Sequence, residues 1–446
     1  MKPSANTLFD CFAKFSNERG DSQFIFDENR RYTVTQAFER IKGIAFNLQS
    51  MGIKQGDFVA VKTARTIDCI FVFYALQFIG AVAVMYGPHD KIEYDAVIDG
   101  NTLTKGNKSS TILGETHGEP SVSTDSQKTS VIIYTSGSTG ESKAVQLSQY
   151  NFINNSLDTS DIGGYRLDDI NILIVPLHHV FGLALVMTAV VTQHCIFVPE
   201  RIETEYVLEC MEKYGVTRLN GVPSMYLSLA QSKGDRKLKL RCGLIGGGPC
   251  TKEQFIKIEK TLGLTLIPVY GMSECIGISC GSYTDTVENR CSSVGRVYSM
   301  NTILIGSDGE ILIKSPAMSK GYLNGEIADG DGFLHTGDLG FVDKKGYLHI
   351  EGRKKDIIIR NGNNLSSLNI ERKILSLPEV KDVCVVGVKD ELCGEVPCAL
   401  IVADKAVDLT VVLSKIELPK EVIYAPSVPL TSSGKADKQK VLKLFS

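Results

Sequence analysis

A chain of 446 residues is too long for a single hydrophobic core and predicts two or three domains. Its 43% hydrophobic and 22% charged content is that of a globular protein, and a net charge of −3 argues against nucleic acid or an anionic membrane as partner. Twelve cysteines without a CxxC pair speak against thiolate-bound metal, and Met1-Lys2-Pro3-Ser4 opens no signal-type apolar core, so reduced thiols in a cytoplasmic protein are expected.

Thr35 is placed to cap a helix over residues 36–51 that stops at Gly52, followed by a buried strand at 58–61. The apolar run 70–87 is long enough to raise a membrane span, but Gln77, Gly80 and Gly87-Pro88 interrupt it. It reads instead as a buried helix over 70–79 and a strand over 81–85, and 183–198 repeats that order. Residues 99–129 are polar and weakly periodic, and predict a loop with one short strand at 109–113. Further buried parallel strands are expected at 172–175 and 244–245, so the chain alternates strands and helices as far as about Gly248. After Tyr283 the texture changes to short strands with glycine turns, including a hairpin of 301–305 with 309–313 around Asp308-Gly309. A charged, strand-free passage over 352–355 and a new α/β region from Asn369 suggest a boundary, with residues 1–352 as a large N-terminal domain and 353–446 as a small α+β lid.

The strand 131–133 runs into Tyr134-Thr135-Ser136-Gly137-Ser138-Thr139-Gly140-Glu141-Ser142-Lys143. A loop of this kind offers close-packed N–H groups, hydroxyls and one cation, which suits a polyphosphate. It lacks the adjacent Gly-Lys of the NTPase P-loop, and by itself it could be an ordinary surface turn. Four more segments follow in order: Tyr270-Gly271-Met272-Ser273-Glu274, Thr336-Gly337-Asp338, Gly352-Arg353-Lys354-Lys355-Asp356 and Ser433-Gly434-Lys435.

Together, from about residue 30 to about residue 440, these segments resemble the adenylate-forming superfamily of acyl-CoA synthetases, luciferases and peptide-synthetase adenylation domains. The resemblance implies an α/β fold with a large multi-subdomain N-terminal domain and a mobile C-terminal lid. It also implies ATP-dependent activation of a small carboxylic acid to an acyl-adenylate, with Mg²⁺, then transfer to the thiol of CoA or of phosphopantetheine.

By resemblance, Thr135, Ser136, Gly137, Ser138, Thr139, Gly140 and Lys143 embrace the β- and γ-phosphates, although Ser142 and Ala144 replace the usual Pro and Gly beside the lysine. Tyr270 packs on adenine, with Gly271 and Met272 beside it; Ser273 meets the α-phosphate and Glu274 holds Mg²⁺ through oxygen. Gly247, Gly248 and Pro249 line the nucleotide, and Asp338 accepts both ribose hydroxyls with Arg353 alongside. Lys435 is the catalytic cation carried by the lid, and Lys355 is its hinge.

The segment Pro176-Leu177-His178-His179 resembles the acyl- and aryl-CoA ligase version, which places His179 between acyl pocket and nucleotide. The rest of the acyl pocket falls to Val222, Gly246, Cys275, Ile276 and Gly277, a small and neutral set. No aspartate stands where amino-acid-activating relatives pair the ammonium, which favours a non-amino acid. Two other readings stay open: a freestanding enzyme loading an acyl or amino acid onto a carrier protein, and a non-catalytic nucleotide-binding protein of the same fold.

Overall fold

Strand Phe58–Lys62 lies parallel between Val82–Tyr86 and Ala96–Asp99, and this trio is the centre of an eight-stranded sheet in the computed structural model. The structure describes all residues except 1–3, 5, 87–93, 95, 115–117, 137–141, 432–435 and 446. Parallel pairing of Val82–Tyr86 with Thr129–Ser136 extends the sheet on one side, and that strand turns back antiparallel into Ser142–Ser148, which carries Gly321–Tyr322 on its outer edge.

A second sheet of nine strands has a parallel centre, running Gln23–Phe26, Cys195–Phe197, Ile170–Ile172, Arg218–Leu219, Cys242–Gly246 and Thr265–Tyr270. The largest core cluster draws side chains from both sheets and from helices Leu8–Arg19, Val34–Ser50, Ile67–Ile79, Gln149–Ile162 and Val180–Thr192. Helix Ile67–Ile79 is buried at every residue except Asp68, so its apolar surface is satisfied within the protein on all sides. Among the described residues no helix is long and apolar enough to cross a membrane.

An antiparallel four-stranded sheet follows: Thr302–Ile305, Glu310–Lys314, Leu334–Val342 and Leu348–Arg353. The chain leaves it at Arg353, makes one 3-10 turn over Lys354–Asp356, and enters a last sheet at Ile357–Arg360. There Asn361 (φ 50°) and Gly362 (φ 75°) form the two-residue link to Asn363–Ser366, the left-handed pair that matches the twist of a hairpin. In the long strands Val380–Asp390 and Gly394–Ala403, alternate residues feed two clusters. Val383, Val385, Ala399 and Ile401 meet helix Ser367–Leu375, while Cys384, Val386, Cys398 and Leu400 meet Val441 of the C-terminal helix.

Several expectations need correction. The cap of the second helix is Thr33, not Thr35, because Thr33 has Gln36 three residues on to close a reciprocal capping box. Residues 99–129 hold more than the one short strand expected at 109–113: that strand runs over Lys108–Thr111, and Ala96–Asp99 and Thr102–Lys105 join it in a meander at the sheet edge. The strand expected at 172–175 runs instead over Ile170–Ile172. The passage 352–355 is strand-free only beyond Arg353.

Candidate active site

Tyr270 ends strand Thr265–Tyr270, and its hydroxyl donates to Asp338 Oδ2 at 2.7 Å. Arg353 Nε donates to the other oxygen, Asp338 Oδ1, at 2.6 Å. Asp338 and Arg353 face each other directly across antiparallel strands, so the pairing register itself brings this cation to this carboxylate. The Thr336 hydroxyl accepts from Asp338 N at 3.1 Å and donates to Ile311 O at 2.7 Å, tying the Thr336-Gly337-Asp338 segment to the neighbouring strand. Burial, reinforced by the adjacent Asp338 charge, pushes the Tyr270 phenol well above its ordinary pKa, so it stays protonated and keeps donating.

After Tyr270 the backbone turns sharply. A Cβ on Gly271 would sit 1.9 Å from Ile276 O, and Ile276 itself takes φ 59°, a left-handed conformation rare for a β-branched residue. The turn leaves Ser273 partly exposed and buries Glu274, whose backbone carbonyl accepts from Ser319 N at 2.7 Å. Its Oε1 accepts the Tyr322 hydroxyl at 2.9 Å. Tyr322 also offers a ring face to Lys143, whose Nζ lies 4.8 Å from the centroid. The register explains this meeting: Tyr322 pairs with Val145 on the strand that begins just before Lys143. Sequence reading missed Tyr322 because it lies 48 residues from Glu274 and belongs to no motif that was singled out.

Thr135 and Lys143 face each other in the hairpin, with Thr135 Oγ1 3.4 Å from Lys143 O. Gly137, Ser138, Thr139, Gly140 and Lys435 lie outside the described residues, and Ser136 is described only as backbone. Gly246 ends strand Cys242–Gly246, where a Cβ would come within 2.5 Å of Val269 O, so strands Cys242–Gly246 and Thr265–Tyr270 pack too tightly there for a side chain. Gly247, Gly248 and Pro249 then lead to helix Lys252–Leu262, which Thr251 caps. Val222 caps the neighbouring helix Pro223–Ser232 and stands beside Gly247. His179 begins helix Val180–Thr192, with its ring centroid 4.2 Å from that of His178. Cys275 and Ile276 are buried in two different core clusters, and Gly277 abuts the Tyr298 ring. Lys355 is exposed in the 3-10 turn. Met272 packs at the edge of the cluster containing Cys275.

The neighbouring Lys354 is held, with its Nζ 2.7 Å from Asp308 Oδ2 and 3.0 Å from Glu310 Oε2. Among the described residues no group of three or more His, Cys, Asp or Glu is arranged to hold a metal. Glu274 is a single oxygen donor of the kind that suits Mg²⁺, an ion that keeps several waters and takes ligands from substrate oxygens.

Comparison with known proteins identifies the family. Residues 12–93 and 90–323 match the AMP-binding enzyme family, and residues 369–435 match the AMP-binding enzyme C-terminal domain. The 2-succinylbenzoate–CoA ligase of Bacillus mycoides (strain KBAB4) is 30% identical over 458 residues, spanning 94% of both chains. That of Bacillus cytotoxicus is 29% identical, spanning 94% of this chain and 95% of its own. Among solved structures, o-succinylbenzoate CoA synthetase from Bacillus subtilis in complex with its acyl-adenylate intermediate superposes with a TM-score of 0.83 at 23% identity, covering 99% of this chain and 98% of that one. Amide bond synthetase from Marinactinospora thermotolerans gives 0.85 at 23% identity, covering 98% and 99%. The chain belongs to the AMP-binding enzyme family, within the adenylate-forming superfamily, and is an AMP-forming acid–thiol ligase.

Proposed function

We propose that this enzyme activates 2-succinylbenzoate, or an aromatic acid closely like it, with ATP and transfers the acyl group to CoA. The observation that carries the reading is the convergence of Tyr270, Asp338 and Arg353 on one side and Lys143, Tyr322 and Glu274 on the other, the first set suited to a nucleoside and the second to a polyphosphate. The substrate rests on relatives of that name matched over nearly their whole length.

In the first step a carboxylate oxygen attacks the α-phosphorus and the bond to the bridging β-phosphate oxygen breaks, releasing pyrophosphate. Both reactants are anions, so charge placement rather than covalent catalysis lowers the barrier. Asp338 accepts the ribose hydroxyls with its orientation fixed by Tyr270 and Arg353, and the ring of Tyr270 lies against adenine. Lys143 and the loop hydroxyls hold the β- and γ-phosphates, Ser273 meets the α-phosphate, and Lys435 bridges the reacting oxygens. Mg²⁺, met by Glu274, supplies charge neutralisation on the phosphates. In the second step the CoA sulfur attacks the acyl carbon, AMP leaves with the electron pair, and the thiol proton passes to solvent.

The change of sheet between Arg353 and Ile357 supports a boundary at 352/353 with Lys355 as hinge between the two steps. Twelve free cysteines support a cytoplasmic site of action.

Pyrophosphate release measured across an acid panel, with intact-mass analysis of products from CoA and from a holo-carrier protein, tests this. Acid-dependent release with 2-succinylbenzoate preferred, and acyl-CoA as product, is the expected outcome. Acylation of the carrier alone would replace CoA as acceptor, and release with no acid in the panel would overturn the enzymatic reading.

A further inference from the structure

We infer that Tyr322 is a positioning residue that holds the Lys143 ammonium and the Glu274 carboxylate apart and ready, an inference that rests on the phosphate and metal roles proposed for those two groups. Two observations meet at this side chain. Its hydroxyl donates to Glu274 Oε1 at 2.9 Å, and its ring face carries Lys143 Nζ at 4.8 Å from the centroid.

The backbone fixes Tyr322 from both sides. Gln146 Nε2 donates to Tyr322 O at 3.0 Å, Tyr322 N donates to Gly325 O at 2.9 Å, and Leu323 N donates to Ala144 O at 2.8 Å. Glu274 is tethered to the same segment through Ser319 N, and the Ser319 hydroxyl donates to Gln146 O at 2.7 Å. Strand Gly321–Tyr322 therefore ties the lysine's strand to the turn that bears the carboxylate.

A lysine and a buried carboxylate that meet on one tyrosine gain most by pairing with each other, which would consume the two charges that a Mg²⁺–polyphosphate requires. An aromatic ring in between satisfies both more weakly. The cation rests on the π-face and is surrendered at small cost when phosphate arrives, while the carboxylate takes one neutral hydrogen bond on Oε1 and keeps its second oxygen for the metal. Orienting Glu274 through a hydrogen-bonded neighbour is the outer-shell tuning seen around metal ligands generally.

The test compares Tyr322→Phe, Tyr322→Leu, Tyr322→Leu/Lys143→Gln and Glu274→Gln, reading acid-dependent pyrophosphate release against Mg²⁺ at saturating ATP and against ATP at saturating Mg²⁺, with melting temperature alongside. Tyr322→Phe keeps the ring and loses the hydroxyl, so half-saturating Mg²⁺ should rise roughly tenfold with kcat at high Mg²⁺ nearly kept. Tyr322→Leu should raise KM for both Mg²⁺ and ATP, and removing the lysine charge in the double variant should return the Mg²⁺ requirement towards that of Tyr322→Phe. A purely packing role would lower melting temperature without that recovery, and would overturn the inference. Unchanged Mg²⁺ dependence in Tyr322→Phe, with a shifted one in Glu274→Gln, would also overturn it. No shift in Glu274→Gln itself would instead remove the metal role of Glu274, and the inference with it.

Discussion

The Tyr270 hydroxyl and the Asp338 carboxylate are joined at 2.7 Å across 68 residues of sequence, binding the end of a parallel sheet to the antiparallel sheet beside it. A neutral donor that burial keeps protonated aims Asp338 towards the two ribose hydroxyls it is proposed to accept. Replacing Tyr270 with Phe keeps the ring proposed to lie on adenine and removes only this bond. A hydrogen bond to a charged group is worth about 1.5–3 kcal/mol, so KM for ATP should rise by roughly 10- to 100-fold while kcat changes little. Steady-state kinetics with ATP varied checks this, and an unchanged KM would mean that Arg353 alone orients Asp338.

His194 gives a pH prediction with a definite sign. Burial, with Arg218 nearby, depresses its pKa from 6.5 to about 3, so it is neutral in the folded protein. Below pH 6.5 the unfolded chain binds a proton here that the folded one does not, and stability falls as pH falls, by up to about 1.4 kcal/mol per pH unit. His194→Gln should flatten that dependence between pH 6.5 and 4 relative to the parent. Chemical denaturation at a series of pH values measures the difference, in which the other titrating groups cancel. His335 has the opposite sign: its hydrogen bond to Glu310 raises its pKa, so its contribution is present below the unfolded value and lost as pH rises through the folded one.

The buried parts of this fold were legible from sequence because apolar runs bounded by glycine leave little choice: helix Ile67–Ile79 and strand Val82–Tyr86 fall where the pattern put them. Of the edge meander only Lys108–Thr111 was anticipated, as the short strand at 109–113; Thr102–Lys105, with a single buried residue, carries too little burial signal to be read. The helix cap went astray for a local reason: Thr33 and Thr35 both qualify as residues, but three positions on stand Gln36 and Phe38, and only glutamine can complete the box. In the site, Tyr270, Asp338 and Arg353 were named from motifs and are brought together. Tyr322 depends on a strand pairing that no local pattern announces.

Gly271 bears on how Glu274 is placed. With a Cβ 1.9 Å from Ile276 O, Gly271→Ala must shift backbone in a turn where Ile276 is already left-handed. A cost of about 1–3 kcal/mol is expected from overpacking, together with a weakened Mg²⁺ dependence because the turn carries the carboxylate. Denaturant midpoints and Mg²⁺ titration read the two effects separately.

Lys438 links the turn beside the proposed hinge to the C-terminal helix. Its Nζ lies 3.2 Å from Asp356 Oδ2, 3.4 Å from Glu371 Oε1 and 2.7 Å from Ser367 Oγ. Burial raises the Glu371 pKa, and the Lys438 charge and a hydrogen bond from Val385 N both oppose that rise. Lys438→Met strands Glu371 and should cost roughly 2–4 kcal/mol, less than a fully buried pair because 28% of the lysine side chain is exposed. Lys438→Met with Glu371→Gln should recover a large part of that loss, and additive losses in the double-mutant cycle would show the two do not interact.

Lys435 carries the sharpest test of the chemistry. Only a cation that reaches the reacting oxygens in the transition state lowers the adenylation barrier without tightening ATP in the ground state. Losing such a charge costs about 3–4 kcal/mol, so Lys435→Ala should slow acid-dependent pyrophosphate exchange by roughly 10²- to 10³-fold. ATP binding, read by calorimetry, should stay within a few-fold of the parent, because Asp338, Tyr270 and Arg353 are untouched. Transfer to CoA from a supplied acyl-adenylate should survive in the same variant, since that step expels AMP and forms no bond at phosphorus. Near-normal exchange would remove Lys435 from the first step, and equal damage to both steps would make it a structural residue of the lid rather than the adenylation cation.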